Sequence, residues 1–598
     1  MASLQEKSYS SKFNLLIDVS KIIVISISAI YLLGNFIPFY EGQDAYLYGI
    51  ESILLSQGTY EISNPLFEET KRLEFTGGNW NPTIRDTIIP IAGIGTPILG
   101  AIAFTIGGYY GLFYLGPILG ILLLIIYERI STKLFGKYVG FLALLFFASC
   151  HIFFRSALLL NTDAMLTLFF IPGIYYLIKF LRDGNKNNIL LTSIFFGIAS
   201  LIKIPALAYF PLEISVIVVY FVIQLKRKRI VITKSNNQNL YVKALFTINR
   251  TKLLKISIFA ILPWIVFFTF WFSYNDYFYG DPTSTYISVP PGGESTSSSV
   301  QTLLTLEQRD FEQFKDYSKY TLPYQIPATY NRLDNNFDES LGKNWPGLMP
   351  IPLLLLSLFL AFKEKAHRIE FLVFTFFIFG IFLFYSGEAS EERAELGLPA
   401  RFMLPAISLT FLIWSYMIVR IFEKLQTNRT RKYLRVFLIV ILGIFFVLAF
   451  SFSPPFQFLS HGSNFKNPVE SIERYPLDKE GLSEKSILLI ENTDLAIEYG
   501  ITPFQLNDPL TWEPEKINFI EELIQKEYSV YTFKKLTSKS ELEKLKYLIN
   551  NNNIVLIDFS NTFCKMYLNN ATLSTDSVCI SDIFQSDTSK KYDLPFLN

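Results

Sequence analysis

Long apolar stretches without charge recur along most of this chain, and they restrict its fold more than any other feature. A helix needs about 20 such residues to cross a hydrocarbon core. Eleven runs of roughly that kind occur, near residues 21–39, 109–127, 138–154, 164–181, 189–204, 206–224, 256–274, 348–362, 369–386, 402–421 and 436–453. A twelfth, Ile88–Gly107, carries Pro90, Pro97 and several glycines. Proline and glycine disfavour a straight spanning helix, so this run reads as a re-entrant or interfacial segment. The fold class expected is an α-helical polytopic membrane protein of about 11 spans plus that segment. Composition agrees, with 51% hydrophobic and only 18% charged residues and a mean hydropathy of +0.32.

The loops predict sidedness, because short cytoplasmic loops collect Lys and Arg. Residues 226–255 hold Lys226, Arg227, Lys228, Arg229 and five further bases with no acid. Arg129–Lys137, Lys179–Lys186, Lys363–Arg368 and Lys424–Arg435 are also basic, and all five fall on one side if the eleven spans alternate. The first loop, 39–87, has eight acids against three bases, and the large loop, 275–346, has ten against five. Both are expected outside, with a cytoplasmic amino terminus and an exterior carboxyl terminus. No small-residue cleavage site follows the first span, so it reads as a retained span rather than a removed signal. After residue 453 the sequence turns polar. Ser486–Glu491 is a further apolar run, Tyr528–Phe533 and Ile554–Phe559 read as strands, and Ile517–Lys526 and Ser540–Asn550 as helices, which together predict a small exterior α/β domain over 454–598 beyond a membrane domain over 1–453.

Charge excludes some functions. Fifty-three Lys+Arg balance 52 Asp+Glu, so the chain is no bulk-charge binder of nucleic acid. Three cysteines and three histidines supply no zinc or iron–sulfur pattern, and no nucleotide-binding or metalloprotease motif occurs. No cofactor is implied and no metal ligand set is assigned, while a divalent metal stays open. Cys564 and Cys579 are compatible with a disulfide or with two thiols, and Asn570-Ala-Thr572 is a glycosylation sequon.

What remains is position. Asp44, in Glu41-Gly-Gln-Asp44-Ala-Tyr46, follows the first span directly, where a carboxylate can face a wet cavity and take a proton from a hydroxyl. Glu41 and Tyr46 are supporting candidates, and a plain solvated acid is the alternative. Asp163 follows Asn161-Thr162 at the mouth of the fourth span, either as part of a helix cap or as a second carboxylate of the same cavity. Lys203 and Arg401 sit at exterior helix ends, where they can clamp a phosphate, snorkel, or pair with the acids Glu388–Glu395. Arg155 and His151 are weaker candidates, and Glu213, inside a span, needs a partner.

These pieces together resemble a known family. A long exterior first loop opening with Asp44, a second exterior loop ending in Asp163, the segment Leu201-Ile-Lys203-Ile-Pro205 and the late Arg401-Phe-Met-Leu-Pro405 resemble the superfamily C (GT-C) integral-membrane glycosyltransferases. The nearest branch is that of the protein O-mannosyltransferases and the lipid A aminoarabinose transferase, over roughly residues 15–420. The resemblance implies that Asp44 is the general base and that Arg401, with Lys203, grips the phosphate of a polyprenyl-phosphate sugar donor in the membrane. The acceptor would be an exterior protein, lipid or glycan. Asn81-Pro82-Thr-Ile-Arg85 departs from the branch's His- or Lys-Pro-Pro-Leu segment. The rival readings are a secondary transporter or lipid-linked glycan flippase, with Glu213 and Lys203 as pathway charges, and an inactive scaffold.

Overall fold

The computed structural model describes residues 2–36, 43–58, 60–63, 80–83, 85, 87–90, 93–233, 250–280, 282, 350–385, 404–424, 486–490, 502–505, 520, 522–533, 554–558 and 563–568. The chain forms two compact units, one of residues 1–48, 93–273 and 302–461, the other of 49–92, 274–301 and 462–598.

The first unit is helical. Its elements are α1 (Ala2–Gly34), the start of α2 (Gln43–Ser56), α3 (Gly95–Phe135), α4 (Lys137–Ala148), α5 (His151–Leu158), α6 (Thr162–Asp183), α7 (Lys186–Ile202), a 3-10 turn (Ile204–Ala208), α8 (Tyr209–Thr233), most of α9 (Arg250–Tyr279), α10 (Pro350–Lys363), α11 (Arg368–Tyr385) and α12 (Leu404–Lys424). Among the described residues, five helices are long and apolar enough to cross a membrane: α1, α3, α6, α9 and α12. Ile30, Ile106 and Phe362 are 74%, 83% and 76% exposed. Water penalises such an outward apolar surface, and acyl chains solvate it. The chain is a multi-pass membrane protein.

Ten of the eleven expected runs coincide with described helix, and 436–453 lies outside the described residues. One of the ten is corrected in form. The run 138–154 is not a straight span but two helices meeting at a bend of 70°. The chain breaks where Cys150 takes an extended conformation between α4 and α5. The provisional segment 88–107 divides as well. Its first residues form a strand, and the rest begins α3, which is interrupted at Gly108 (φ 57, ψ −144). A Cβ on Gly111 would lie 2.0 Å from the Ala103 carbonyl oxygen, whereas eight residues of straight helix span about 12 Å. The chain therefore bends back on itself at Gly108, as a re-entrant segment does.

α6 is the most enclosed of the five long helices. It forms an antiparallel hairpin with α7 through Asp183-Gly184-Asn185. Gly184 takes the left-handed conformation (φ 67) and donates to the Phe180 carbonyl, and Asn185 caps α7 by accepting from the Asn187 amide. The Asp183 carboxylate accepts from the Asn185 amide and the Asn188 side chain at 2.8 Å each. Inside, Phe170 of α6, Phe196 of α7, Tyr209 of α8 and Phe377 of α11 pack with centroids 5.1–6.3 Å apart.

Ion pairs gather at the end of this bundle that carries the short basic turns. Lys21 meets Glu128 at 2.5 Å and Lys137 meets Asp18 at 2.7 Å. Arg182 pairs with the buried Glu370, and Arg420 reaches Glu364 at 2.9 Å and Glu423 at 2.7 Å. Glu213 takes the partners its burial demands. It accepts from the Ser193 hydroxyl at 2.6 Å and the Trp264 indole at 2.9 Å, and so ties α7, α8 and α9 together.

The second unit holds two sheets. In one, β3 (Thr87–Pro90) pairs antiparallel with β1 (Ile62–Ser63) and β2 (Trp80–Pro82). In the other, of order β5-β4-β6-β8-β7, β4 (Ser486–Ile490) lies parallel to β5 (Thr502–Gln505) and β6 (Ser529–Phe533). β8 (Phe563–Leu568) is antiparallel to β6 and to β7 (Ile554–Asp558). The two expected strands are present as β6 and β7, the apolar run 486–491 supplies β4, and β5 and β8 are additional. The expected helix 540–550 and Cys579 lie outside the described residues, as does the Cys564 side chain.

Gly108 occupies a region of φ and ψ that essentially only glycine enters. Gly108→Ala should destabilise the protein by about 1–3 kcal/mol, whereas Gly107→Ala, which meets nothing within 4 Å, should change little. Thermal unfolding of both variants in one detergent checks this contrast.

Candidate active site

Asp163 and Lys203 come together because α6 and α7 run antiparallel. The start of α6 and the end of α7 lie at the same end of the hairpin, so residues forty apart in sequence become neighbours. The Lys203 ammonium donates to Asp163 Oδ1 at 2.6 Å. Asp163 is fully buried, and the Lys203 side chain is 13% exposed.

Local sequence sets each partner. Asn161 is the helix cap, its side chain accepting from the Asp163 amide at 3.4 Å. Asp163 is thereby relieved of capping and points its carboxylate elsewhere. In the first turn of α6 it also sits where the positive end of the helix dipole favours a negative charge. Lys203 terminates α7 in an extended conformation (φ −149, ψ 121), and Pro205 follows at the start of the 3-10 turn. Pro205 has no N–H to give the Leu201 carbonyl, and its ring would crowd that carbonyl in a continued helix, which helps to stop α7 here.

The seat of Lys203 is set from the other side by residues the sequence reading passed over. A Cβ on Gly95 would lie 2.7 Å from the Ile202 nitrogen, and one on Gly93 2.8 Å from the Ile202 oxygen. The chain entering α3 thus lies against the last turn of α7, at a distance only glycine permits. Their signal was visible as glycines in the segment 88–107, but nothing in the spacing named α7 as their neighbour.

The remaining candidates are not joined to this pair by the described residues. The backbone places Asp44 and Tyr46 in the first turn of α2 and Arg155 and His151 in α5, with their side chains outside the described residues. Glu41 and Arg401 lie wholly outside them, as do the acids Glu388–Glu395. Arg85, in the segment that departs from the branch pattern, pairs with Glu61 and stacks on the Tyr277 ring at 3.7 Å. Thr87 donates to the same Glu61 at 2.8 Å. Among the described residues no group of three or more His, Cys, Asp or Glu is arranged to hold a metal ion.

Residues 111–249 match the family model described as dolichyl-phosphate-mannose-protein mannosyltransferase. The matched segment contains Asp163, Lys203 and the whole α6–α7 hairpin. No curated protein matches the chain. Among solved structures, ArnT from Cupriavidus metallidurans bound to undecaprenyl phosphate aligns with a TM-score of 0.47 and 11% identity, over 93% of this chain and 98% of that one. The archaeal oligosaccharyltransferase AglB from Archaeoglobus fulgidus, in complex with an inhibitory peptide and a dolichol-phosphate, aligns with a TM-score of 0.45 and 11% identity, over 93% and 75%. Likenesses this loose carry no argument of their own.

Removing one partner of a buried ion pair strands the other charge and costs about 3–5 kcal/mol, whereas replacing both with apolar residues is often close to neutral. Lys203→Met should therefore destabilise the protein strongly, and adding Asp163→Leu to it should recover much of that loss. Unfolding midpoints of the two single variants and the double variant give the coupling.

Proposed function

We propose that this chain is an integral-membrane glycosyltransferase that moves a sugar from a polyprenyl phosphate to an acceptor outside the membrane. One observation carries the proposal. The segment that matches the mannosyltransferase family model holds a buried carboxylate and a half-buried ammonium, joined at one end of the hairpin built on its most enclosed long helix. An ion pair withdrawn from water is expensive to build, and ionisable residues within a membrane protein's bundle are by default candidates for function.

The chemistry suits few parts. A lipid phosphate is already a competent leaving group, so one base to take the acceptor's proton and positive charge on the departing phosphate suffice. In this reading Asp44, at the start of α2, is the base. Arg401 and Lys203 grip the phosphate, and Asp163 holds the Lys203 ammonium in place. The acceptor oxygen forms its bond to the anomeric carbon as the bond to the phosphate oxygen breaks, with inversion, and the acceptor proton passes to Asp44. Glu41, Tyr46 and Arg155 would support the same cavity. A donor reached from the bilayer explains why the chain needs no nucleotide-binding motif. The amino terminus is cytoplasmic in this reading and the active end is exterior.

Asp44→Asn keeps the shape and removes the base. Membranes carrying it should transfer label from a radiolabelled polyprenyl-phosphate sugar at least about a hundredfold more slowly than the native protein, the scale of a lost general base, with expression unchanged. Full turnover by the variant removes Asp44 from the mechanism. Movement of the labelled lipid across the membrane with no covalent transfer favours the flippase.

A further inference from the structure

Glu51 is buried without a partner. It lies in α2, a 14-residue helix too short to cross a bilayer. Its side chain is fully enclosed, and neither carboxylate oxygen has a hydrogen-bond partner. Among the described residues no cation is paired with it, in contrast to Asp163. Its surroundings are phenolic. A charge on Glu51 would oppose ionisation of the Tyr60 phenol, and the Tyr60 hydroxyl lies 3.2 Å from that of Tyr274. Phe278 packs on both rings, with centroids 5.6 and 4.7 Å away. Tyr279 also faces Tyr60. Elsewhere in this unit, Arg85 and Glu61 are paired with each other.

An ionised carboxylate cannot be kept in such a place without a cation or donors, so the group holds its proton instead. Burial pushes the Glu51 carboxyl well above the ordinary carboxylate range. We propose that Glu51 is a positioning residue: its neutral acid seats α2, the helix whose first turn carries Asp44, and its ionisation loosens that seat. The proposal rests on the functional reading above for the importance of Asp44, but its structural half stands alone.

The sign follows from linkage. The folded value is raised, so the stabilisation is complete below the ordinary carboxyl pKa of about 4.3 and is lost as pH rises toward the folded value. Within that window, any opening that exposes Glu51 becomes about tenfold easier per pH unit.

The test uses the full chain in lipid nanodiscs, with amide hydrogen exchange of residues 47–58 followed upward from pH 5, across the window in which Glu51 is protonated when folded and ionised when exposed, and corrected for intrinsic rates. In the native protein, protection should fall about tenfold per pH unit. Glu51→Gln, which is neutral at every pH, should show a flat profile and should transfer sugar faster than the native protein on the alkaline side. If Glu51→Gln does not fold, Glu51→Leu serves as the non-titrating variant. A native profile that is already flat, or a Gln or Leu variant with the native slope, overturns the proposal. If the slope is absent while transfer persists and Asp44→Asn is inactive, only the role of Glu51 falls. If no covalent transfer occurs while the slope is present, the functional reading falls and the Glu51 switch stands.

Discussion

A charge taken out of water beside lipid persists only when something of opposite sign goes with it, and Asp163 has Lys203. Much of the first unit is arranged so that this pair can exist. The tight turn at Gly184 returns α7 antiparallel to α6, the Asn161 cap leaves the Asp163 carboxylate unoccupied by the helix end, and Gly93 and Gly95 give the last turn of α7 its seat. At the other end of α6, about 29 Å away by helical rise between residues 163 and 182, Arg182 meets Glu370 instead. The charges of this helix are thus sorted to its two ends, with Phe170 and its ring neighbours filling the stretch between.

The bundle is held between those ends by close approach rather than by water's rejection of apolar surface. In lipid, helices gain little from hiding apolar faces, so small residues and internal polar bonds decide which helices meet. Gly173 shows the first device, since a Cβ there would lie 2.4 Å from the Phe196 ring that closes α6 against α7. Glu213 shows the second, with both oxygens of its carboxylate occupied by side chains of α7 and α9.

The spans were legible because their signal is local: each run must satisfy its own backbone within the bilayer, so length and lack of charge nearly suffice. The bend between α4 and α5 was hidden in an apolar run, since composition does not report a helix break at Ser149-Cys150 that lacks proline or glycine. The strand β8 was missed because Phe563–Leu568 alternates only partly and carries Lys565. At the site, the sequence pointed to Asp163 and Lys203 one at a time, through their places at helix ends. It named Glu51 only as one more acid of an exterior loop, because burial is a property of the packing around a residue and not of its neighbours in the chain.

From the amino acids alone follow a membrane solvent and the approximate position of the helices. Each of these is a sum over residues near one another in sequence. Which carboxylate finds a cation and which keeps its proton was decided only in three dimensions. Pairing depends on the direction in which two helices run and on how closely a third segment approaches them, and neither quantity is written in any one stretch of the chain.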